Sequence, residues 1–162
     1  MKTVRYTLCF LTRGEQVLML LRNNPPNRGL WNGVGGHIEP GESPYAGCLR
    51  EISEETGFSV PQARFAGLLT WDGFEVDDGG LYIFTAPAPP GDPRPTPEGE
   101  LAWKPKSDLF NSPRVVGNIH HFSPAVLNGA PPRQYHFTYR DGEILAFDVR
   151  PLPAWVDILR PF

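Results

Sequence analysis

The stretch Trp31 to Pro44, Trp-Asn-Gly-Val-Gly-Gly-His-Ile-Glu-Pro-Gly-Glu-Ser-Pro, constrains this chain more than any other, because its four glycines and two prolines exclude a helix until its very end. Turns and close backbone approaches are what such a segment builds. At its end the signals reverse. Ser43 offers a side-chain oxygen to a free N–H of a first turn, and Pro44 sits where a missing N–H costs nothing. Gly57 follows Thr56 as a left-handed stop. The punctuation predicts a helix over 44–56. Tyr45, Cys48, Leu49 and Ile52 recur at i, i+3, i+4 and i+7, a stripe suited to lying on a sheet. Glu51, Glu54 and Glu55 occupy the other side, with Gly47 one turn earlier.

Strand patterns surround this helix. Val4–Leu11 and Gln16–Leu21 flank a Thr-Arg-Gly-Glu turn and read as a hairpin, apolar enough to be buried on both faces. Residues 22–30 are rich in turn formers. Arg64–Trp71 and Leu81–Thr85 read as strands joined by an acidic loop over 72–80, and Leu101–Trp103 as a further short strand. Six prolines fall within residues 86–97, which makes that stretch a stiff surface loop. Asn118–Leu127 can form a helix, shortened by Pro124. Gln134–Tyr139 and Glu143–Val149 flank Arg-Asp-Gly, a hairpin signal. With strands and helices intermixed and no internal repeat, the expected class is α/β with a mixed sheet. A length of 162 residues fits one domain over 1–162, burying roughly 70% of its unfolded surface.

Charge narrows the partners. Fifteen Lys and Arg against eighteen Asp and Glu give a net charge of −3, which provides no electrostatic footprint for a nucleic-acid backbone. A phosphate-bearing partner then needs a metal ion between it and the acidic residues. Cys9 and Cys48 sit in apolar patterns and read as buried, reduced thiols of a reducing compartment. The apolar run Tyr6–Leu11 is far too short for a membrane span and lacks a leader's cleavage pattern. A soluble, cytoplasmic protein with no membrane or nucleic-acid partner is expected.

The chemistry lies in one spacing: Gly36, five residues, Glu42, seven residues, then Arg50-Glu51-Ile52-x-Glu54-Glu55-x-Gly57-Phe58. Three carboxylates within five helical positions repel one another, so a cation belongs among them. Hard oxygens with no histidine or cysteine at ligand spacing select Mg²⁺, or Mn²⁺, over zinc. Such an ion bridges a pyrophosphate, neutralises charge on the leaving group and activates water. Arg50, four residues before Glu54, is placed to pair with it. His120 and His121, adjacent and about 100° apart on a helix, suit surface or packing roles. His37, after the diglycine, suits either a solvated turn or contact with phosphate.

This spacing resembles the signature of the Nudix hydrolases, enzymes acting on phosphoric anhydrides. The resemblance implies an α/β/α sandwich and a metal-dependent hydrolase of nucleoside diphosphate-linked substrates. It implies Arg50, Glu51, Glu54 and Glu55 as catalytic residues, with orientation of the carboxylates as the alternative to pairing with Glu54 for Arg50, and the Gly35 carbonyl with Glu51, Glu54 and Glu55 as metal ligands. A further carboxylate from outside the helix is expected at Glu98, with Glu100 as its competitor. The general base is one of Glu51, Glu55 and Glu98. Tyr6-Thr7-Leu8, the segment 29–36 and the closing hairpin after Phe122 are similar to the branch that cleaves 8-oxo-dGTP and other oxidised purine nucleoside triphosphates to monophosphate and pyrophosphate, cleansing the nucleotide pool. That similarity implies Asn32 on the purine, Thr7 and Arg22 lining its pocket, and Trp71 packed on the base. Asn32 can equally serve the turn before Gly33, and Trp71 the core. Where that branch has a tryptophan and acidic residues, this chain has Val115-Val116-Gly117-Asn118, leaving Asn118 as a partial replacement. A dinucleoside polyphosphate, a nucleotide sugar, a capped RNA end, or nucleotide binding without catalysis are the competing readings.

Overall fold

The opening hairpin forms and then splits. In the computed structural model, which describes residues 4–25, 27–74 and 79–162, β1 (Tyr6–Arg13) pairs antiparallel with β2 (Gln16–Arg22) only near the turn, from Leu11↔Leu18 to Arg13↔Gln16. Beyond that point the glycine-rich segment enters between them. Its short strand β3 (Trp31–Asn32) pairs with β2 at Leu20↔Asn32 and Leu21↔Trp31. The residues that follow bond to β1: Cys9 N donates to Val34 O at 2.7 Å, Thr7 N to Gly36 O at 2.9 Å, and Ile38 N to Arg5 O at 2.8 Å. A Cβ on Gly35 would lie 2.0 Å from the Thr7 carbonyl oxygen, so only glycine permits this approach.

Helix α1 (Pro44–Thr56) has the predicted limits: Ser43 Oγ accepts from Ala46 N at 3.1 Å, and Gly57 closes it at φ 77°. After it come β4 (Arg64–Asp72), β5 (Gly79–Pro87), β6 (Gly99–Pro105), α2 (Lys106–Asn111), α3 (Ile119–Leu127), β7 (Arg133–Arg140) and β8 (Glu143–Arg150). The strands form one eight-stranded mixed sheet in the order β3-β2-β1-β5-β4-β7-β8, with β6 added on β2. The pairs β1/β5 and β4/β7 are parallel. Alternation along β1 divides the core: Leu8 and Phe10 face Leu109 of α2 with Ile119 and Phe122 of α3, whereas Cys9 and Leu11 face Cys48 and Ile52 of α1. The sheet is therefore covered by helices on both faces, as the continuous apolar runs require. Cys9 and Cys48 are free and buried.

Several elements differ from expectation. β6 extends to seven residues because it pairs with the whole of β2, from Gln16↔Pro105 to Arg22↔Gly99. β5 runs into the proline-rich stretch as far as Pro87, which pairs with Thr12 at the sheet's end. The remainder of that stretch is a loop fixed by two arginines: the Arg13 guanidinium donates to Pro89 O and Gly91 O, and Arg94 N donates to Thr56 O at 2.7 Å. Helix α2 is one short turn that buries Leu109, a length below what periodicity can reveal. Of the expected acidic loop, residues 75–78 lie outside the described residues, as does residue 26 of the loop over 22–30. In the closing hairpin Asp141 and Gly142 both take positive φ, 51° and 80°, as a two-residue turn between twisted strands demands. The irregular segment 151–162 crosses the α1 face, packing Leu152, Val156 and Ile158 there. Its backbone meets the base of α1: Tyr45 N donates to Ile158 O and Gly41 N to Phe162 O, both at 2.9 Å, and Phe162 N donates to Glu42 O at 3.1 Å. No helix among the described residues is long and apolar enough to cross a membrane.

Because a methyl group at Gly35 meets backbone rather than a movable side chain, Gly35→Ala is expected to cost about 3 kcal/mol or more in denaturant unfolding. Gly117→Ala, whose Cβ would meet nothing within 4 Å, is expected to stay within about 0.5 kcal/mol of the parent.

Candidate active site

Burial of Cys48 and Ile52 against β1 sets the rotation of α1, and that rotation brings Glu51 and Glu55 against the diglycine. A Cβ on Gly36 would stand 2.7 Å from Glu51 Oε1, so the absent side chain is what leaves room for the carboxylate. Arg50 stands beside them as the hub of an ion-pair network. Its Nε and Nη2 donate to the two Glu42 oxygens at 2.7 and 2.9 Å, its Nη1 to Glu51 Oε1 at 3.1 Å and Glu54 Oε2 at 3.0 Å, and Nη2 also to His37 O at 2.8 Å. The two alternatives for Arg50, pairing with Glu54 and contact with Glu51, occur together. Arg50 holds the Glu42 carboxyl below the usual range, and its own proton is bound more tightly in return.

Glu51 and Glu55 fare differently. Burial pushes the Glu51 carboxyl up, and Arg50 offsets part of that rise. Glu55 is 7% exposed, and burial with the neighbouring Glu51 and Glu98 raises it to about 8, against a backbone hydrogen bond from Gly35. Its Oε2 is buried without a hydrogen-bond partner. Glu54, by contrast, is largely exposed and turned toward Arg50. Glu98 lies on the exposed end of the proline-rich loop just before β6, anchored by a bond from its N to Thr96 Oγ1 at 3.2 Å, and its charge reaches Glu55. Glu100 is one residue into β6, opposite Leu21. Among the described residues no three acidic, histidine or cysteine side chains stand, as placed, where they could together hold a metal ion. The donor set still suits a hard divalent cation: oxygens only, an orphaned buried carboxylate oxygen, and repulsion among Glu51, Glu55 and Glu98 that a cation would relieve.

A pocket of about 260 Å³ opens beside this cluster, with Gly35, Gly36 and His37 on the shared rim. Thr7, Arg22, Asn32, Trp71 and Asn118 all line it. Thr7 Oγ1 is buried there without a partner. Asn32 Oδ1 accepts from Gly33 N at 2.9 Å, so the residue serves the turn and still lines the pocket. Because Gly33 N–H can only donate, the Asn32 amide is fixed with its NH₂ group turned away from that bond. Trp71 belongs both to the α2/α3-side core and to the pocket wall, edge-on to Phe74 at 5.9 Å. Asn118 precedes α3 without capping it; its amide donates instead to the Tyr139 hydroxyl at 3.1 Å. His37 packs on Tyr6, ring centroids 4.5 Å apart, and the two other singled-out histidines pack or cap: His120 on Ser112 O at 2.7 Å, His121 edge-on to Phe137 at 5.6 Å.

Three residues of this arrangement were not assigned from the sequence. Glu42 was visible in the spacing, eight residues before Arg50, but its role as the main anchor of the guanidinium needed the fold. Phe74 and Tyr139 carry no local signal, since only the β4/β7 pairing brings Tyr139 to the pocket.

A model of the NUDIX domain matches residues 2–126. The chain belongs to the Nudix family. This Nudix protein is 31% identical to the Nudix hydrolase YvcI of Bacillus subtilis over 91% of its own length and 94% of that protein's. It is 32% identical to the oxidized purine nucleoside triphosphate hydrolase of Mus musculus, over 60% of this chain and 64% of that one. The crystal structure of the MutT protein of Bacillus halodurans superposes with a TM-score of 0.78 at 31% identity, covering 92% of this chain and 99% of that one. Membership makes the chain a hydrolase of phosphoric anhydrides.

The Glu55 carboxyl gives a prediction about stability. Its folded-state value, about 8, lies above the 4.5 of an ordinary glutamate, so folding takes up a proton and stability falls as pH rises between the two. At about 1.4 kcal/mol per unit, the span amounts to a few kcal/mol. With chelator present, the melting temperature is expected to decline between pH 5 and pH 8, and Glu55→Gln is expected to flatten that decline and melt higher at pH 8.

Proposed function

We propose that this Nudix hydrolase is a divalent-cation-dependent nucleoside triphosphate pyrophosphohydrolase that prefers oxidised purines and releases nucleoside monophosphate and pyrophosphate in the cytoplasm. The observation that carries the reading is the continuity of two sites across Gly35 and Gly36. On one side lies an aromatic-walled pocket with amide and hydroxyl groups, on the other a buried carboxylate cluster. A purine in the pocket would hold its triphosphate against the carboxylates. The mouse relative's name, an oxidized purine nucleoside triphosphate hydrolase, supports the same substrate class.

The Gly35 carbonyl with Glu51, Glu54, Glu55 and Glu98 would hold Mg²⁺, or Mn²⁺ in its place. When bound, the ion supplies charge neutralisation on the pyrophosphate and a more acidic water. The chain's own residues do the rest. Trp71 and Phe74 offer a face on which a base packs. The Asn32 amide donates to an acceptor on the base edge, and Thr7 Oγ1 finds there the hydrogen bond it lacks in the pocket wall. Asn118, steadied by Tyr139, offers a second amide. Arg50 restrains Glu51 and Glu54 so that the carboxylates meet the phosphate chain in one arrangement. A carboxylate that must accept water's proton works best with a pKa near the working pH, and of Glu51 and Glu55 the stronger upward push falls on Glu55.

Initial rates with Mg²⁺ on 8-oxo-dGTP, 2-hydroxy-dATP, ordinary dNTPs, diadenosine polyphosphates and ADP-ribose test the assignment. The expected outcome is highest kcat/KM on the oxidised purine triphosphates with pyrophosphate as product; equal or higher efficiency on dinucleotides or ADP-ribose overturns it. Glu51→Gln is expected to lower kcat by about 100-fold or more with little change in melting temperature. Asn32→Ala is expected to raise KM about tenfold, the scale of one lost hydrogen bond to the base, with kcat nearly kept.

A further inference from the structure

Residues 151–162 lie beyond the part of the chain that the domain model matches, form no helix or strand, and contain three prolines in twelve positions. They nevertheless make main-chain hydrogen bonds to the segment that carries the Arg50 anchor. We propose that this segment is a positioning strap for the carboxylate cluster, a role that rests on the activity proposed above.

The connection is continuous. Phe162 and Gly41-Glu42 exchange two main-chain bonds, Gly41 N to Phe162 O at 2.9 Å and Phe162 N to Glu42 O at 3.1 Å. A third bond, Tyr45 N to Ile158 O, supplies an acceptor for an N–H in the first turn of α1, where the helix itself has none. Glu42, held at its backbone by the strap, is held at its carboxylate by Arg50 and by Glu39 N, which donates at 3.0 Å. Its carboxylate is seated against α1, since a Cβ on Gly47 would stand 2.9 Å from Glu42 Oε1. The remaining Arg50 nitrogen, Nη1, is the one that reaches Glu51 and Glu54. Strap backbone, Glu42, Arg50 and Glu51 therefore form one mechanical series. Leu152, Val156 and Ile158 anchor the strap in the α1-side core, and the prolines limit the entropy lost on docking. The pocket wall formed by Leu8, Leu69 and Trp71 belongs to the opposite core, so the strap bears on the carboxylates and not on the nucleobase pocket.

That separation gives the test. A chain ending at Arg150 and the milder Phe162→Pro, which removes the N–H donated to Glu42 together with the phenyl ring, are compared with the parent. Rates are measured on 8-oxo-dGTP with Mg²⁺, and Mn²⁺ affinity is measured by electron paramagnetic resonance without substrate. Misplacement of reacting groups by an ångström costs up to about 100-fold; the shortened chain is expected to lose about 30-fold in kcat, and Phe162→Pro about threefold, with KM within about twofold. Mn²⁺ affinity is expected to fall in the same order, and Phe162→Ala, which retains the N–H, to restore both quantities. Unchanged kcat and Mn²⁺ affinity in a folded Phe162→Pro overturn the proposal, as does a rise in KM equal to the fall in kcat. If the parent cleaves no nucleotide, the activity assignment fails by itself: weakened Mn²⁺ binding in the variants then sustains the strap, and equal binding overturns it.

Discussion

The hydrogen bonds from Thr7 N to Gly36 O and from Cys9 N to Val34 O support everything that follows in this structure. They draw a strand-like segment into the gap of a hairpin that would otherwise zip closed. Both faces of that segment are then in use. Gly35 lies against the Thr7 backbone, and Gly36 lies under the Glu51 carboxylate. A side chain at either position would have to displace backbone or the Glu51 carboxylate. One thin length of polypeptide thus serves as the partition between a nucleobase-sized pocket and an acidic cluster, close enough for a single ligand to touch both.

Electrostatically the site is deliberately under-compensated. One guanidinium donates to three carboxylates, and its two shortest bonds to a carboxylate, at 2.7 and 2.9 Å, both go to Glu42, which is outside the Glu51/Glu55 pair. What remains for Glu51 is one bond, and Glu55 has burial, a like-charged neighbour and an unbonded oxygen. Buried carboxylates in that condition lower the stability of the fold unless a proton or a cation joins them. The same imbalance that weakens the fold is what a hard cation would relieve, so the group that costs stability at Glu55 is also the one best suited to receive such an ion.

Much of this was legible in the residues. The helix 44–56 was bounded by its own caps, the double-sided burial of the first hairpin followed from its unbroken apolar runs, and the carboxylate spacing pointed to a cation. What could not be read were consequences of distance along the chain. Tyr139 reaches the pocket only through parallel pairing of β4 and β7, more than sixty residues apart, and the wedge between β1 and β2 replaces part of a hairpin that local pattern favours. Helix α2 is too short to show a period. Asn32 and Trp71 each looked like a choice between structure and recognition; the fold gives both residues both positions, because a turn residue at a pocket's edge and an aromatic at the end of a core strand face two ways.

The proline-rich loop has a bearing on the acid at its end. Between Pro87 and Glu98 the chain has few conformations to lose even when unfolded, and Arg13 and Arg94 tie it down at two points. Glu98 therefore arrives near Glu55 on an arm whose ordering is completed during folding. A ligand entering the site would meet a carboxylate already in place, and the entropy that a flexible loop would surrender on each binding event has been surrendered once, when the protein was made.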